Sequence, residues 1–305
     1  MRDVGCDANI LASSSPATKD FLAGAVGGCA SVIAGQPLDT IRIRLQHGTF
    51  GGLSQTVNSL VATEGVRSLF KGTAYPLLTI TLQSAVVFQS FGIACRVIDG
   101  RQPGQGVLPY EQVCMAGMFS GAVQTLISTP VDLLKIRQQL QSAQPGSASY
   151  IGPLQLLRSI LRAEGLPGLY RGGCITLLRD VPAHAIYFTS YELCHELFEP
   201  GSRQTGNHSP AALFISGGIA GALSWLGIYH FDVVKTRLQS LPASISPPEG
   251  WWSCARRIYQ TEGRGAFTRG LGTTLSRAFI VNAMLFSGYE ATMQALCGHD
   301  PANAA

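Results

Sequence analysis

Charged residues are scarce in this sequence, because Asp, Glu, Lys and Arg make up only 13% of its 305 residues. A soluble protein of this size usually carries about 25% charged residues. Hydrophobic residues reach 46% and glycine occurs 35 times. This composition favours a membrane protein, and the alternative is a large soluble enzyme with a glycine-rich core.

The sequence also lacks a secretory signal and the cysteine patterns of metal sites. The only apolar stretch among the first twenty residues is 10–12, and acidic residues nearby argue against a transit peptide. Eight cysteines form no C-x-x-C pair, and no histidine lies at zinc-finger spacing. We therefore expect reduced cysteines packed between helices, with no metal site and no cofactor.

Enzyme motifs are missing as well. The chain contains no G-x-S-x-G, no H-E-x-x-H and no phosphate-binding G-x-x-x-x-G-K-[ST]. Glycine-rich runs such as residues 24–28 lie inside apolar segments, where close helix packing explains them. The sequence predicts a protein without catalytic residues and without a nucleic-acid partner.

One motif, by contrast, is written three times. It starts with Pro or His, has Asp two positions later, basic residues five and seven positions later, and Gln after nine. The copies are residues 37–46, 130–139 and 230–239, and His230 replaces the expected proline in the third. Such repetition predicts a fold built from repeated units.

Two further landmarks follow each copy in the same order. They are Glu64-Gly65, Glu164-Gly165 and Glu262-Gly263, and then Lys71-Gly72, Arg171-Gly172 and Arg269-Gly270. The last glycines of successive copies are 100 and 98 residues apart. Chance agreement of several landmarks is very improbable, and we place the repeats at 17–100, 108–200 and 207–298.

Two apolar segments flank the motifs of each repeat. They are residues 21–35 and 75–98, residues 113–129 and 175–197, and residues 213–229 and 273–296. As paired helices they are long enough to cross roughly 30 Å of hydrocarbon. Polar positions within every segment should face an aqueous interior. The sequence therefore predicts an all-α membrane protein: six transmembrane helices in three tandem two-helix repeats, with pseudo-threefold symmetry around a central cavity.

Charge is distributed unevenly between the ends of these segments. The stretches 39–72, 132–172 and 232–270 hold 15 of the 22 basic and 7 of the 18 acidic residues, a net charge of +8. The remainder of the chain carries a net charge of −4. Short positively charged connections stay on the inner side of a membrane, so we expect both termini outside.

The three repeats resemble the mitochondrial carrier family over nearly the whole chain, from residue 20 to residue 296. The family signature is P-x-[DE]-x-x-[KR] in triplicate, each copy followed by a short amphipathic helix and an aromatic–basic–glycine motif. Residues 169–188 and 269–282 look most like plant basic amino-acid carriers. The core at 179–183, Arg-Asp-Val-Pro-Ala, also occurs in carnitine/acylcarnitine carriers.

This resemblance implies a carrier of the mitochondrial inner membrane with both termini toward the intermembrane space. It would exchange basic amino acids (arginine, lysine, ornithine, histidine) by alternating access, as a monomer that binds membrane lipid, namely cardiolipin. The alternatives are a carnitine/acylcarnitine carrier, or a membrane protein that leaks protons or does not transport.

The resemblance also implies a gate at the inner, matrix end of the cavity. The implied ion pairs are Asp39 with Lys135, Asp132 with Lys235, and Asp232 with Arg42. Glutamines in matching places are expected to hydrogen-bond beneath the pairs: Gln46, Gln139 and Gln239. Pro37 and Pro130 are predicted to bend their helices so that the lower ends converge. A static structural network is the alternative.

Substrate contacts are expected at one level of the second helices. Seven residues after the last glycine of each repeat lie Thr79, Arg179 and Arg277, and the family binds substrate at this level. An arginine at mid-membrane depth is a functional candidate by default, and its fork suits both oxygens of a carboxylate. Interhelical pairing without a ligand is the alternative.

Asp180 is the predicted partner for a cationic nitrogen. Neighbours on a helix point about 100° apart, so Asp180 is not expected to satisfy Arg179. Gln83 and His184 each lie one turn further along and are candidate contacts, with plain packing as the alternative for His184. A basic amino acid has two cationic groups, so its second would need carbonyls, Gln83 or a gate aspartate. Carnitine, with one cation and one carboxylate, fits this set equally well.

Overall fold

The computed structural model describes residues 16–47, 52–99, 108–141, 150–201, 210–241 and 250–297. The two termini, whose side of the membrane the sequence predicts, lie outside the described residues. The predicted repeat limits at 100, 207 and 298 also lie outside them.

Six long helices make up most of the described chain. They are α1 (Pro16–His47), α3 (Ala74–Asp99), α4 (Tyr110–Gln139), α6 (Gly173–Phe198), α7 (Pro210–Ser240) and α9 (Leu271–Cys297). Shorter helices separate the members of each pair: α2 (Leu53–Glu64), α5 (Pro153–Leu169) and α8 (Trp251–Glu262). Each predicted apolar segment lies within one long helix, and the described residues contain no strand, so the all-helical prediction is confirmed.

The long helices form a ring. Around it the neighbours follow in the order α1, α9, α7, α6, α4 and α3, and α3 returns to α1. The first helices of the repeats, α1, α4 and α7, also contact one another pairwise. Pro37 and Pro130 lie inside α1 and α4 as expected. Helix α7 reaches the same contacts with His230 in that place, so its approach does not require proline.

The landmark glycines mark turns near the ends of the short helices, and Gly165 forms a kink inside α5. All six have positive φ angles: Gly65 (74°), Gly165 (68°), Gly263 (75°), Gly72 (80°), Gly172 (79°) and Gly270 (86°). Glycine reaches this region without the steric cost that a Cβ imposes. These positions therefore recur as glycine because the same two turns are built three times.

Glycine also brings certain long helices into direct backbone contact. A Cβ at Gly27 of α1 would collide with the carbonyl oxygen of Leu285 on α9. A Cβ at Gly121 of α4 would lie 2.5 Å from the carbonyl oxygen of Asp180 on α6. Small residues allow such close approach between helices, and here they let α9 pack closely against α1 and α6 against α4.

Apolar clusters attach two of the short helices to the first long helix of their own repeat. Leu156 and Ile160 of α5 pack with Leu133 of α4, and Ile258 of α8 packs with Val234 of α7. Two of the three chain segments that carry the net positive charge are thereby held against the first helix of their repeat.

Polar and charged side chains are buried alongside apolar ones, and many large apolar side chains are exposed. Among the largest fully buried side chains are Lys71, Lys235, Gln36, Gln46 and Gln239. Large apolar side chains face outward instead: Leu78 is 82% exposed, Leu197 76% and Phe279 64%. Exposed apolar surface with a polar interior fits a bundle surrounded by hydrocarbon.

Mean hydropathy identifies fewer membrane spans than the six long helices. Within the described ranges, the stretch Val66–Ile98 has the length and apolar composition of a membrane span. The other long helices fall short of that criterion, and they contain the polar residues that the sequence places toward the cavity.

Candidate functional site

Three ion pairs join the first helices of the repeats near the C-terminal ends of those helices. Lys135 Nζ lies 2.5 Å from Asp39 Oδ2, Lys235 bonds to Asp132, and Arg42 bonds to Asp232. The order is the one that the resemblance implied. Each pair links two different repeats because the aspartate of one helix faces the basic residue of the next.

Each of these aspartates also holds a second cation, which the sequence did not indicate. Arg277 Nε of α9 lies 2.5 Å from Asp39 Oδ1. Arg179 of α6 reaches two carboxylates, with Nη2 3.2 Å from Asp132 Oδ2 and Nη1 3.1 Å from Asp232 Oδ1. The two arginines predicted for substrate binding are therefore attached to the predicted gate.

The expectation that Asp180 cannot satisfy Arg179 is wrong. Arg179 Nε donates to Asp180 Oδ1 at 2.6 Å, and Ser128 Oγ donates to Asp180 Oδ2 at 2.7 Å. Adjacent Cα–Cβ bonds do diverge, but the long arginine side chain folds back across the neighbouring carboxylate. Asp180 is buried, with 5% of its side chain exposed, so its charge has partners before any ligand binds.

The three glutamines differ from the prediction in two cases. Gln46 Nε2 donates to Asp232 Oδ2 at 2.7 Å, beneath the pair with Arg42, as expected. Gln139 Nε2 instead donates to Thr40 Oγ1 at 3.1 Å, and Gln239 Nε2 to the Arg171 carbonyl at 3.3 Å. One of the three pairs is thus braced by its glutamine.

The remaining candidates form a polar chain beside the arginines. Gln83 Nε2 donates to Thr79 Oγ1 at 2.9 Å, and Gln124 Nε2 donates to Gln83 Oε1 at 3.3 Å. His184 Nδ1 lies 2.8 Å from the carbonyl oxygen of Asp180. Thr79 Oγ1 donates to the Tyr75 carbonyl at 2.8 Å.

One cavity of about 330 Å³ collects most of these groups. The charged residues that line it are Asp39, Arg42, Asp132, Lys135, Arg179, Asp180, Asp232, Lys235 and Arg277. Gln83 and His184 also line this cavity. Thr79 does not line it, but is hydrogen-bonded to Gln83, which does. These charged residues comprise five cations and four carboxylates, so the lining offers charge of both signs to a ligand.

Trp225 is a cavity residue that the sequence analysis missed. The guanidinium carbon of Arg42 lies 4.3 Å from the centroid of its ring, a cation–π contact. Trp225 stands two helical turns before Asp232, on the same face of α7. The equivalent residues of the first two repeats are Val32 and Thr125. Tryptophan is thus not repeated at this position, and only its difference from the other two copies could have indicated a role.

Below the ring, each repeat contains a second cluster of charges. Glu64 binds Arg44 and Lys71, Glu164 binds Arg137 and Arg171, and Glu262 binds Arg237 and Arg269. The residues are the repeat landmarks, to which the sequence analysis gave no role. We call these clusters the glutamate triads.

In each triad, the arginine that comes from a first helix donates a hydrogen bond to a backbone carbonyl of the next repeat. Arg44 Nε donates to the Gln139 carbonyl at 3.0 Å, Arg137 Nε to the Gln239 carbonyl at 3.4 Å, and Arg237 Nε to the Gln46 carbonyl. The last carbonyls of a helix lack partners within the helix. The triads thereby tie the C-terminal ends of the three first helices to one another.

Comparison with known proteins gives matches over almost the entire chain. A family model described as mitochondrial carrier protein matches residues 13–100, 107–202 and 206–300. The mitochondrial arginine transporter BAC2 of Arabidopsis thaliana is 43% identical over 284 residues, 93% of each chain. The mitochondrial basic amino acids transporter of Rattus norvegicus is 39% identical, over 92% of this chain and 90% of that protein. Solute carrier family 25 member 48 of Homo sapiens is 36% identical, over 92% and 96% respectively.

Proposed function

Because the chain belongs to the mitochondrial carrier family, we propose that it exchanges basic amino acids across the mitochondrial inner membrane by alternating access. Two of its relatives are named as transporters of arginine and of basic amino acids. Those names describe transport, so no enzymatic activity is proposed. The observation that carries the proposal is the contact between the two cavity arginines and the gate aspartates.

The six long helices are proposed as the membrane spans, in three two-helix repeats with pseudo-threefold symmetry. Outward-facing apolar side chains and a buried polar interior support this arrangement. The stretches with a net charge of +8 would face the matrix, with both termini toward the intermembrane space. We expect a monomer surrounded by lipid, including cardiolipin.

The three ion pairs between the first helices serve as the matrix gate in this proposal. All three are formed in the structure, so in the proposed orientation this state would be closed toward the matrix. The pairs are largely buried, with 1–27% of their side chains exposed, so the cost of removing both charges from water offsets much of their attraction. A ring of such pairs can hold one state and still open in every cycle.

The substrate carboxylate is proposed to bind Arg277 and Arg179. Both guanidiniums line the cavity, and 23% and 15% of their side chains are exposed there. A guanidinium can bind both carboxylate oxygens. When these arginines turn to the substrate, Asp39, Asp132 and Asp232 each lose one of their two cations.

The aspartates that lose these contacts provide what a basic amino acid requires. Asp132 and Asp232, both bound to Arg179 in the empty cavity, would accept the side-chain guanidinium or ammonium of the substrate. Asp39 or Asp180 would accept the α-ammonium. The substrate thus replaces contacts that hold the gate, which couples its binding to gate opening and favours exchange over leakage.

Competition for labelled arginine uptake into proteoliposomes tests the substrate class. Lysine, ornithine and histidine should compete more strongly than glutamine or leucine at equal concentration. Carnitine tests the main alternative, because it offers one carboxylate and one fixed cation. Stronger competition by carnitine than by lysine would replace the basic amino-acid proposal with the carnitine/acylcarnitine one.

A further inference from the structure

A second cavity lies on the outer side of the charged one. Its volume is also about 330 Å³. Hydrocarbon and aromatic surface from three helices forms most of its wall: Val87 and Phe88 of α3, Tyr187 and Phe188 of α6, and Gly221 and Ile228 of α7. We call these six residues the aromatic vestibule.

The vestibule faces the interior of the ring. Helices α3 and α7 are separated around the ring by α4 and α6, so their side chains can border one cavity only across the lumen. Phe88 is 64% exposed and lines this cavity. An exposed aromatic ring at this place is available to a ligand that enters the lumen.

Ring contacts hold part of the vestibule wall in place. The rings of Phe91 and Phe188 are stacked with centroids 4.0 Å apart, and Tyr187 meets Phe188 edge to face at 5.5 Å. Such pairs add stability beyond their buried area. A wall that is already ordered loses little conformational entropy when a ligand binds.

The vestibule and the charged cavity share a border. Arg179, Asp180, His184 and Trp225 line both cavities. A ligand whose carboxylate binds Arg179 would therefore have its α-carbon at this border. A substituent on the α-nitrogen would reach the vestibule while the side-chain cation stays among the gate aspartates.

A free basic amino acid leaves the vestibule unused, because each of its charged groups finds a partner in the charged cavity. We propose that the vestibule is a second subsite that binds the apolar tail, preferably an aromatic ring, of cationic carboxylates. This rests on the proposed function, because it takes the carboxylate to be held by Arg179. The ligand class extends from basic amino acids to their amphipathic derivatives.

Two compounds of equal charge test the proposal by inhibition of arginine uptake in proteoliposomes. Nα-benzoyl-arginine and Nα-acetyl-arginine both keep the carboxylate and the guanidinium, but only the first carries a ring. Burying roughly 60 Å² of additional apolar surface corresponds to about a tenfold gain in affinity. The benzoyl compound should therefore inhibit at about one tenth of the concentration.

A matched pair of variants locates the effect. A Cβ at Gly221 or at Gly217 would meet no atom within 4 Å, but only Gly221 lines the vestibule. Gly221→Leu should fill the cavity and bring the inhibitory concentrations of the two compounds together. Gly217→Leu should keep the tenfold ratio, since helix side chains point toward the N-terminus and away from the vestibule. Each ratio is measured against that variant's own arginine uptake.

Thermal stabilisation of the purified carrier by the same two compounds gives a readout that does not need transport. Equal effects of both compounds on the unmodified protein would overturn the second subsite while leaving arginine transport intact. A ratio that survives in Gly221→Leu would also overturn it, because the ring would then bind elsewhere. If arginine is not taken up at all, the proposed function fails, and the stabilisation ratio alone decides the vestibule.

Discussion

Arg277 of α9 lies against Asp39 of α1, with Nε 2.5 Å from Oδ1. Lys135 occupies the other oxygen of the same carboxylate at 2.5 Å. Asp39 thus joins a residue at the proposed substrate level to the proposed gate. A ligand that draws Arg277 away leaves Asp39 with Lys135 and weakens one of the contacts that hold the inner end closed.

Replacing Arg277 tests whether it binds the substrate carboxylate. Removal of one partner of a buried charged contact typically costs about 2–5 kcal/mol, so Arg277→Ala should reduce arginine uptake by at least about thirtyfold. Agmatine, which is arginine without its carboxylate, provides the control. The unmodified carrier should prefer arginine, and the variant should lose that preference. Unchanged discrimination between the two would assign the carboxylate to another residue.

The Asp132–Lys235 pair tests the gate. Asp132→Asn should impair exchange, because Lys235 and Arg179 both lose a carboxylate. The reversal Asp132→Lys with Lys235→Asp should recover only part of the activity, since the new lysine at position 132 would face Arg179. Arginine exchange in proteoliposomes measures both. Normal exchange in the single variant would leave these pairs as a static structural network.

Variants at Asp180 and Ser128 test whether the Asp180 carboxylate binds the substrate or only holds Arg179 in place. Asp180→Asn keeps the shape and removes the charge, so it should depress uptake of basic amino acids. Ser128→Ala removes the hydrogen bond to Asp180 without removing a charge, and should have a much smaller effect. Arginine uptake that is unchanged in Asp180→Asn would identify Asp180 as a structural partner of Arg179.

Part of this arrangement follows from spacing. Asp39 and Arg42 are three residues apart and share one helix face, and the same interval recurs in each repeat. Three helices with this interval can pair their charges around one axis, but spacing alone does not decide which neighbour each aspartate meets. The helices were therefore predictable from the sequence, whereas the order of the ion pairs came from the resemblance to the carrier family.

Other contacts depend on how closely the helices approach one another and on side-chain conformation, and residue spacing determines neither. Arg179 folds onto the adjacent Asp180 and also reaches Asp132, because Gly121 lets α6 approach α4 closely. Gln139 and Gln239 turn to other acceptors than the gate pairs. Trp225 occurs in one repeat only, so a search for repeated features passes over it.

The glutamate triads differ in burial, so we expect substitutions of their glutamates to lower the stability of the carrier by different amounts. Lys71 is fully buried beside Glu64, whereas 40% of the Arg269 side chain beside Glu262 is exposed. Breaking a buried ion pair by removing one partner costs about 3–5 kcal/mol. Glu64→Gln should therefore lower the thermal unfolding midpoint of the detergent-purified carrier more than Glu262→Gln does. Equal shifts would contradict the dependence on burial.

Gly121 predicts a packing effect with a clear control. A Cβ there would lie 2.5 Å from the Asp180 carbonyl oxygen and 3.0 Å from Val181 Cα, which are backbone atoms. Forcing an extra methyl into such a contact costs about 1–3 kcal/mol. Gly121→Ala should lower the unfolding midpoint, whereas Gly24→Ala, where no atom lies within 4 Å, should not. A midpoint unchanged by Gly121→Ala would show that α4 and α6 can separate freely.

The central claim is coupled exchange of basic amino acids through the arginine–aspartate cavity, and release of preloaded labelled arginine tests it most directly. Proteoliposomes that contain the purified carrier should release the label rapidly when arginine, lysine or ornithine is added outside. They should retain it when buffer, glutamine or carnitine is added. Rapid release into buffer alone would show a leak, and release by carnitine but not by lysine would show a different substrate; either result would contradict the account.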